Sequence, residues 1–162
     1  MTKVTTDRPT TVTAQGDREI LITREFAAPP ELVFRAWTTP ELVERWWGAR
    51  RGAVTLVEID LRVGGAWRFV MTAEGGFEVG FHGEYREIVP GERLVSTEVY
   101  EGMPDGEAVN TMDLTPTAAG TMMTVLVEHS CREHRDGHLA SGMEDGIRDA
   151  FELLDDAAQS LA

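Results

Sequence analysis

Apolar and polar positions alternate along much of the chain, but only after a polar N-terminal stretch. Residues 1–17 are rich in threonine and carry few apolar side chains, so they predict a flexible tail with strand-like alternation only around Val12. From Arg18 the segment REILITREFAA alternates, with Ile20 and Ile22 on one face. This pattern predicts a first strand.

A helical pattern follows in the segment APPELVFRAWTTPELVERWW. Pro30 suits a first helical position, and the apolar residues after it recur at helical spacing. Thr39 and Pro40 end this helix and begin a second one, which Gly48 ends. The segment therefore predicts two short helices.

The middle of the chain is a succession of strand patterns. Six segments are rich in β-branched and aromatic residues, and turn-forming stretches separate them. These segments are AVTLVEIDL, GAWRFVM, FEVGFHGEYREIV, RLVSTEVYE, EAVNTMDLTP and GTMMTVLVEHS. Short connections between consecutive strands predict an antiparallel meander.

The C-terminal segment 136–162 has the pattern of one long amphipathic helix. Its apolar residues recur at i, i+4 and i+7, and acidic residues fill the opposite face. The apolar positions are Leu139, Met143, Ile147, Phe151, Leu154, Ala158 and Leu161. Gly142 and Gly146 lie on a neighbouring line and indicate either close packing or open space beside the helix.

Together these elements predict an α+β fold. One bent antiparallel sheet of about seven strands would wrap around the long C-terminal helix, and the two short helices after the first strand would close one end. The length of 162 residues suits a single domain. We expect that domain over residues 18–162.

Charge and cysteine content narrow the class of protein. The net charge of −13 disfavours binding to nucleic acid or to an anionic membrane surface, because both need clustered lysine and arginine. No segment has the roughly 20 apolar residues of a membrane span or the pattern of a signal peptide. With Cys131 as its single cysteine, the chain is expected to be a cytoplasmic protein without disulfides.

Four segments, in this order, resemble a known superfamily. They are REFAAPPELVFRAWTTPELVERWWG, IDLRVGGAWRFVM, HGEYREIVPGERLVSTE and GMEDGIRDAFELL. They resemble the SRPBCC superfamily, also called START-like or helix-grip, and within it the branch named for the activator of heat-shock protein 90 ATPase homologue. The resemblance implies a helix-grip fold with a deep cavity between the bent sheet and the long helix.

The resemblance leaves three functions open, because one fold hosts many activities. The first is binding of a small hydrophobic molecule, aromatic or polyketide-like, in the cavity and without a cofactor. The second is an enzyme that uses the same cavity, of the cyclase, aromatase or hydrolase type. The third is a protein-interaction module that modulates a chaperone. Homodimers are common for this fold, but no sequence feature specifies an interface.

Alternation within the strands selects the residues expected to line the cavity. The inner face is apolar with few orienting polar groups, which is typical of small-molecule sites. The candidate ligand-binding residues are Trp47, Trp67, Phe69, Met71, Phe81, Tyr85, Met123, Val125, Val127, His129, Met143 and Ile147. The simpler interpretation is that these side chains fill a core without any cavity.

His129 and Tyr85 are the catalytic candidates, since both polar groups are expected on the inner face. Together they would act as a general base or orient a ligand carbonyl. Cys131, His134 and His138 follow His129 closely, but their spacing matches no standard zinc signature. We therefore predict no metal site.

The adjacent tryptophans at the end of the second helix need separate environments. Trp46, which follows Leu42 at i+4, is expected to pack into the core, and Trp47 to face the cavity mouth or solvent. Arg50 and Arg51 come next, and they would meet either an anionic ligand tail or the acidic protein surface. The acidic protein surface is the favoured environment for both arginines.

Overall fold

The computed structural model describes residues 9–48 and 51–162. Within these residues eight strands form one sheet in the order β1-β2-β8-β7-β6-β5-β4-β3, with every neighbouring pair antiparallel. The strands are β1 (Thr11–Gln15), β2 (Glu19–Phe26), β3 (Gly52–Ile59), β4 (Ala66–Ala73), β5 (Glu78–Val89), β6 (Arg93–Tyr100), β7 (Ala108–Pro116) and β8 (Thr121–His129). The helices are α1 (Pro30–Thr38), α2 (Pro40–Trp46), α3 (Arg132–Ala140) and α4 (Met143–Gln159).

The predicted α+β helix-grip fold is confirmed, with one strand more than the expected seven. The additional strand is β1, which lies within the segment 1–17 that was predicted to be a flexible tail. It pairs with β2 from Thr11 opposite Thr23 to Gln15 opposite Glu19. Its side chains are mostly exposed at the sheet edge, and an exposed edge strand leaves little hydrophobic pattern in the sequence. Residues 1–8 of the expected tail lie outside the described residues.

Two irregularities in the strand pairing contribute to the bend of the sheet. The register between β5 and β6 shifts between Tyr85 and Glu87, and that between β3 and β4 shifts between Val54 and Leu56. An extra residue in one strand of a pair bends that strand and increases its twist. The curved sheet forms a concave face, against which α4 packs.

The prediction of one continuous C-terminal helix is wrong at Gly142. Gly142 has a φ of 83°, a left-handed conformation that separates α3 from α4. Ser141 ends α3, and both its backbone N–H and its hydroxyl donate to the His138 carbonyl. Glycine adopts this conformation without the steric cost that a Cβ would add, so the chain changes direction here.

Helix α4 supplies the other half of the core. Its buried residues include Phe151, Leu154 and Ala158, and the Phe151 ring lies edge-on to Phe26 of β2 at 5.9 Å. Helices α1 and α2 contact α4 and close one side of the interior. This arrangement places the apolar face of α4 opposite the concave face of the sheet. Among the described helices, none is both long and apolar enough to cross a membrane.

Candidate ligand cavity

A cavity of about 310 Å³ lies between the sheet and α4. That volume is at the lower end of the roughly 300–1,000 Å³ typical of small-molecule sites. Its sheet wall is formed by Ile22, Trp67, Phe69, Met71, Phe81, Tyr85, Leu94, Ser96, Glu98, Asn110, Met112, Val125 and Val127. Its remaining wall is formed by Trp37, Trp46, Trp47, Gly48, Arg51, His138, Met143, Gly146, Ile147, Ala150 and Phe151. The interior is therefore not completely filled by side chains.

The two adjacent tryptophans occupy different environments around this cavity. Trp46 is 2% exposed, and its Nε1 donates to the Ala36 carbonyl at 2.8 Å. The ring of Trp47 instead lies edge-on to Phe69 at 5.5 Å and to Phe81 at 5.9 Å. Both rings line the cavity, and the partly buried Trp47 bridges α2 to the aromatic side of the sheet.

Arg51 lies at the edge of the cavity, next to α4. A Cβ at Gly146 would stand 3.4 Å from the guanidinium carbon of Arg51, so the glycine leaves room for that group. Arg51 is exposed and lines the cavity, which places it nearer the ligand-tail environment than the acidic-surface environment favoured from the sequence. Arg50 lies outside the described residues.

Polar side chains form one part of the sheet wall, which we call the polar corner: Tyr85, Ser96, Glu98 and Asn110. Tyr85, Ser96 and Asn110 lie directly opposite one another on β5, β6 and β7. Glu98 is two residues along β6, and its Oε2 accepts a hydrogen bond from Asn110 Nδ2 at 3.2 Å. The cavity therefore has an apolar, aromatic body and one polar region.

Burial sets the protonation behaviour of this corner. It raises the pKa of the Glu98 carboxyl above its ordinary value, and the hydrogen bond from Asn110 only partly opposes that rise. Burial also raises the pKa of the Tyr85 hydroxyl, so Tyr85 stays neutral. Among the described residues, three buried side-chain polar atoms have no hydrogen-bond partner: Trp37 Nε1, Asn110 Oδ1 and His129 Nδ1.

A histidine pair lies where α3 meets the end of β8. His129 Nε2 and His138 Nδ1 share a hydrogen bond of 3.0 Å, and His138 lines the cavity. Burial lowers the pKa of both rings, that of His138 to about 4, because a charged imidazole is poorly solvated there. Nearby positive charge adds to this effect, from His134 and Arg135 for His129 and from His129 for His138. Within the described part of the chain, no three His, Cys, Asp or Glu residues are grouped to hold a metal ion.

Comparison with known proteins decides the family. Residues 27–159 match the family described as activator of Hsp90 ATPase homolog 1-like protein. The chain belongs to this activator family. No curated protein sequence matches the chain.

Solved structures of similar proteins share the fold of this chain. A Rhodobacter sphaeroides protein is 29% identical with a TM-score of 0.87, and the alignment covers 94% of this chain and 99% of that one. A Nitrosomonas europaea protein is 26% identical with a TM-score of 0.81, covering 91% and 97%. An Arthrobacter aurescens protein is 25% identical with a TM-score of 0.82, covering 93% and 91%. The resemblance seen in the four sequence segments is thereby confirmed.

Most of the candidate residues selected from the sequence of this activator-family chain come together around the cavity. Those that line it are Trp47, Trp67, Phe69, Met71, Phe81, Tyr85, Val125, Val127, Met143 and Ile147. Met123 does not line it, because this side chain lies opposite Arg24 and Leu114 and is completely buried in the core. His129 does not line it either, since His138 stands against it from α3. The suggested pair of His129 and Tyr85 therefore does not face one space.

The polar corner of the cavity was not among the residues predicted from the sequence, apart from Tyr85. In the β6 segment RLVSTEVY, the apolar pattern favours Val95 and Val99 as the inward-facing residues. The side chains that line the cavity are instead Leu94, Ser96 and Glu98. The register shift after Tyr85 accompanies this difference. The sequence signal for the polar corner is a strand with one polar face and one short apolar face. The same pattern is typical of a strand whose polar face lies in solvent, so it does not identify the corner.

We expect the stability of the activator-family chain to fall on acidification because of the His138 ring. The folded pKa of His138, about 4, is below the ordinary 6.5, so the unfolded chain binds the proton more readily between these values. Stability is therefore fully present above pH 6.5 and is lost as the pH falls through 4, by roughly 1 kcal/mol per pH unit. Urea unfolding of the wild type and of His138→Asn across this range measures the difference in slope.

His134→Asn is the matched control, since His134 lies one turn earlier on α3, its ring bonds the exposed Ser130 hydroxyl, and its charge is a lesser cause than burial of the lowered His129 pKa. The His134 variant should keep most of the wild-type slope, and the His138 variant should lose more of it. Equal slopes in the wild type and His138→Asn would contradict the assignment.

Proposed function

We propose that the protein binds a small, largely apolar molecule, aromatic or polyketide-like, in the cavity between the sheet and α4. The observation that carries this proposal is an interior space walled by aromatic rings, with polar groups confined to one corner. Transfer of an apolar ligand from water into such a space is favourable by about 25 cal/mol for each Å² of apolar surface buried. The few polar groups would set its orientation.

The aromatic wall also supplies a built-in reporter. All four tryptophans of the chain, Trp37, Trp46, Trp47 and Trp67, line the cavity. Trp47 is the most suitable reporter among them, because it is partly accessible, whereas Trp46 and Trp67 are buried and hydrogen-bonded to backbone carbonyls. A ligand that enters the cavity is expected to change its emission.

The binding test uses naphthylmethanol as a neutral aromatic probe. We expect it to raise the melting temperature, because a ligand that binds only the folded state stabilises that state, and to change the tryptophan emission of the wild type. In Trp47→Phe the melting temperature should still rise, while most of the emission change is lost. Thermal shift and fluorescence titration measure the two effects.

A cavity-filling variant locates the binding site. Ala150 lines the cavity from α4, so Ala150→Phe would occupy part of its volume and should reduce the affinity for naphthylmethanol at least about tenfold. Ala140→Phe is the matched control, because Ala140 is exposed at the end of α3. Unchanged affinity in Ala150→Phe would place the binding site elsewhere and contradict the proposal.

A further inference from the structure

Glu98 is half-buried, and its desolvated carboxyl group has no positive partner in the described part of the chain. Its one polar contact there is the hydrogen bond that it accepts from Asn110 Nδ2. Among the described residues, no arginine or histidine contributes to its electrostatic environment, which is set by burial and by Asn110. This is unusual, since buried carboxylates in proteins are normally paired with a cation or a metal.

The hydrogen bonding of Asn110 in the polar corner is also incomplete. Its amide nitrogen donates to Glu98, and this orientation leaves Oδ1 as a buried acceptor without a donor. A buried acceptor with no partner costs about 1–3 kcal/mol. The corner therefore presents two acceptors side by side, one of them able to carry a full negative charge, and neither the Tyr85 nor the Ser96 hydroxyl donates to the unpartnered Asn110 oxygen.

The rest of the cavity favours a cation over a neutral donor. The rings of Trp67, Phe69 and Phe81 form the adjoining wall, and aromatic faces attract a positively charged group. The net charge of the chain is −13, and such a field attracts cations and repels anions. Arg51, the cationic side chain on the cavity edge, is exposed and does not neutralise Glu98.

We propose that the cavity takes an aromatic molecule bearing a protonated amine, and that Glu98 binds the ammonium group while Asn110 holds the carboxylate in position. This inference rests on the proposed function, because it assigns a chemical class to the ligand of the same cavity. Glu98 is the specificity-determining residue for the charge of the ligand. Asn110 acts through Glu98 and is a positioning residue.

Three probes that differ only in the polar group test the proposal: naphthylmethylamine, naphthylmethanol and naphthoate. Titration calorimetry of the full chain at neutral pH compares their affinities. We expect the amine to bind at least about tenfold more tightly than the alcohol, because a hydrogen bond to an ionised partner is roughly twice as strong as a neutral one. Naphthoate should bind most weakly.

Glu98→Gln replaces the carboxyl with an amide of the same size. The variant is expected to lose the preference for the amine, so that its affinities for the amine and the alcohol differ by less than about twofold. Glu128→Gln is the matched control, since Glu128 is exposed on β8 and its replacement changes the net charge equally. The Glu128 variant should behave as the wild type does.

The outcomes separate this inference from the proposed function. If the amine and the alcohol bind wild type equally, or if Glu98→Gln keeps the preference, the assignment of Glu98 is overturned while the cavity remains a binding site. If naphthoate binds best, the assignment is overturned in favour of Arg51. If none of the three probes binds, the proposed function itself fails.

Discussion

Replacing Asp155 with alanine is expected to lower the free energy of unfolding by about 3 kcal/mol. Asp155 is 7% exposed and lies on α4, where its Oδ2 accepts a hydrogen bond from Arg24 Nη1 at 3.4 Å. Its Oδ1 accepts from the backbone N–H of Ala27 at 3.1 Å and from Gln159 Nε2 at 3.0 Å. The substitution removes a buried negative charge from beside a buried guanidinium and leaves the Ala27 N–H without this acceptor.

Two further variants separate charge from hydrogen bonding and from helix propensity. Asp155→Asn keeps an oxygen for the Ala27 N–H and loses only the charge. Its free energy of unfolding should therefore lie between those of the wild type and Asp155→Ala. Glu152→Ala removes an exposed carboxylate one turn earlier on α4 and should change stability by no more than about 0.5 kcal/mol. Urea unfolding with equal m-values is the measurement. A loss below about 1 kcal/mol in Asp155→Ala would show that the ion pair merely offsets its own desolvation.

Asp155 connects stability to the cavity, because it attaches the C-terminal part of α4 to the end of β2. Phe151, one turn earlier on α4, lines the cavity and packs against Phe26. The position of the helix wall thus depends on a polar contact outside the cavity. A partly empty interior gives up packing contacts that a filled core would make. A polar contact outside the cavity stabilises the position of α4 without filling that interior.

The elements of this fold could be predicted where the pattern of one face is strong. The β4 segment places Trp67, Phe69 and Met71 on one face, and all three line the cavity. The different environments of Trp46 and Trp47 also follow from their adjacency and from the chain reversal at Gly48, whose φ is 80°. These inferences need only local geometry.

The polar corner could not be predicted in the same way, because it depends on register between distant segments. Ser96 and Asn110 face each other on β6 and β7, and Glu98 reaches Asn110 across the same pair of strands. Nothing local to RLVSTEVY distinguishes an inward Glu98 from an outward one, and Val99 and Thr97 are themselves buried on the other face. The break at Gly142 could not be predicted for a different reason. The apolar residues before and after this glycine continue at the spacing of a single helix.

The aromatic wall depends on the absence of a side chain at Gly83. It lies on β5 opposite Trp67 of β4, and the Trp67 Nε1 donates to the Thr97 carbonyl of β6 at 3.1 Å. A Cβ at position 83 would stand 1.8 Å from the Thr97 carbonyl oxygen and 2.6 Å from Trp67 Nε1. The absence of a side chain therefore allows the indole to cross β5 and to bond the next strand.

Gly83→Ala is expected to cost at least about 3 kcal/mol of unfolding free energy, since overpacking adds to the loss of the Trp67 hydrogen bond. The variant should also bind naphthylmethanol more weakly, because Trp67 must leave its place beside Phe69. Gly80→Ala on the same strand is the matched control: the nearest atoms to its Cβ belong to the end of the Glu101 side chain, which can move at the expense of its exposed ion pairs with Arg68 and His82, so its cost should stay near 1 kcal/mol. Equal stability losses in the two variants would refute this account of the aromatic wall, because the two sites differ chiefly in whether a rigid carbonyl or a movable side chain lies in the way.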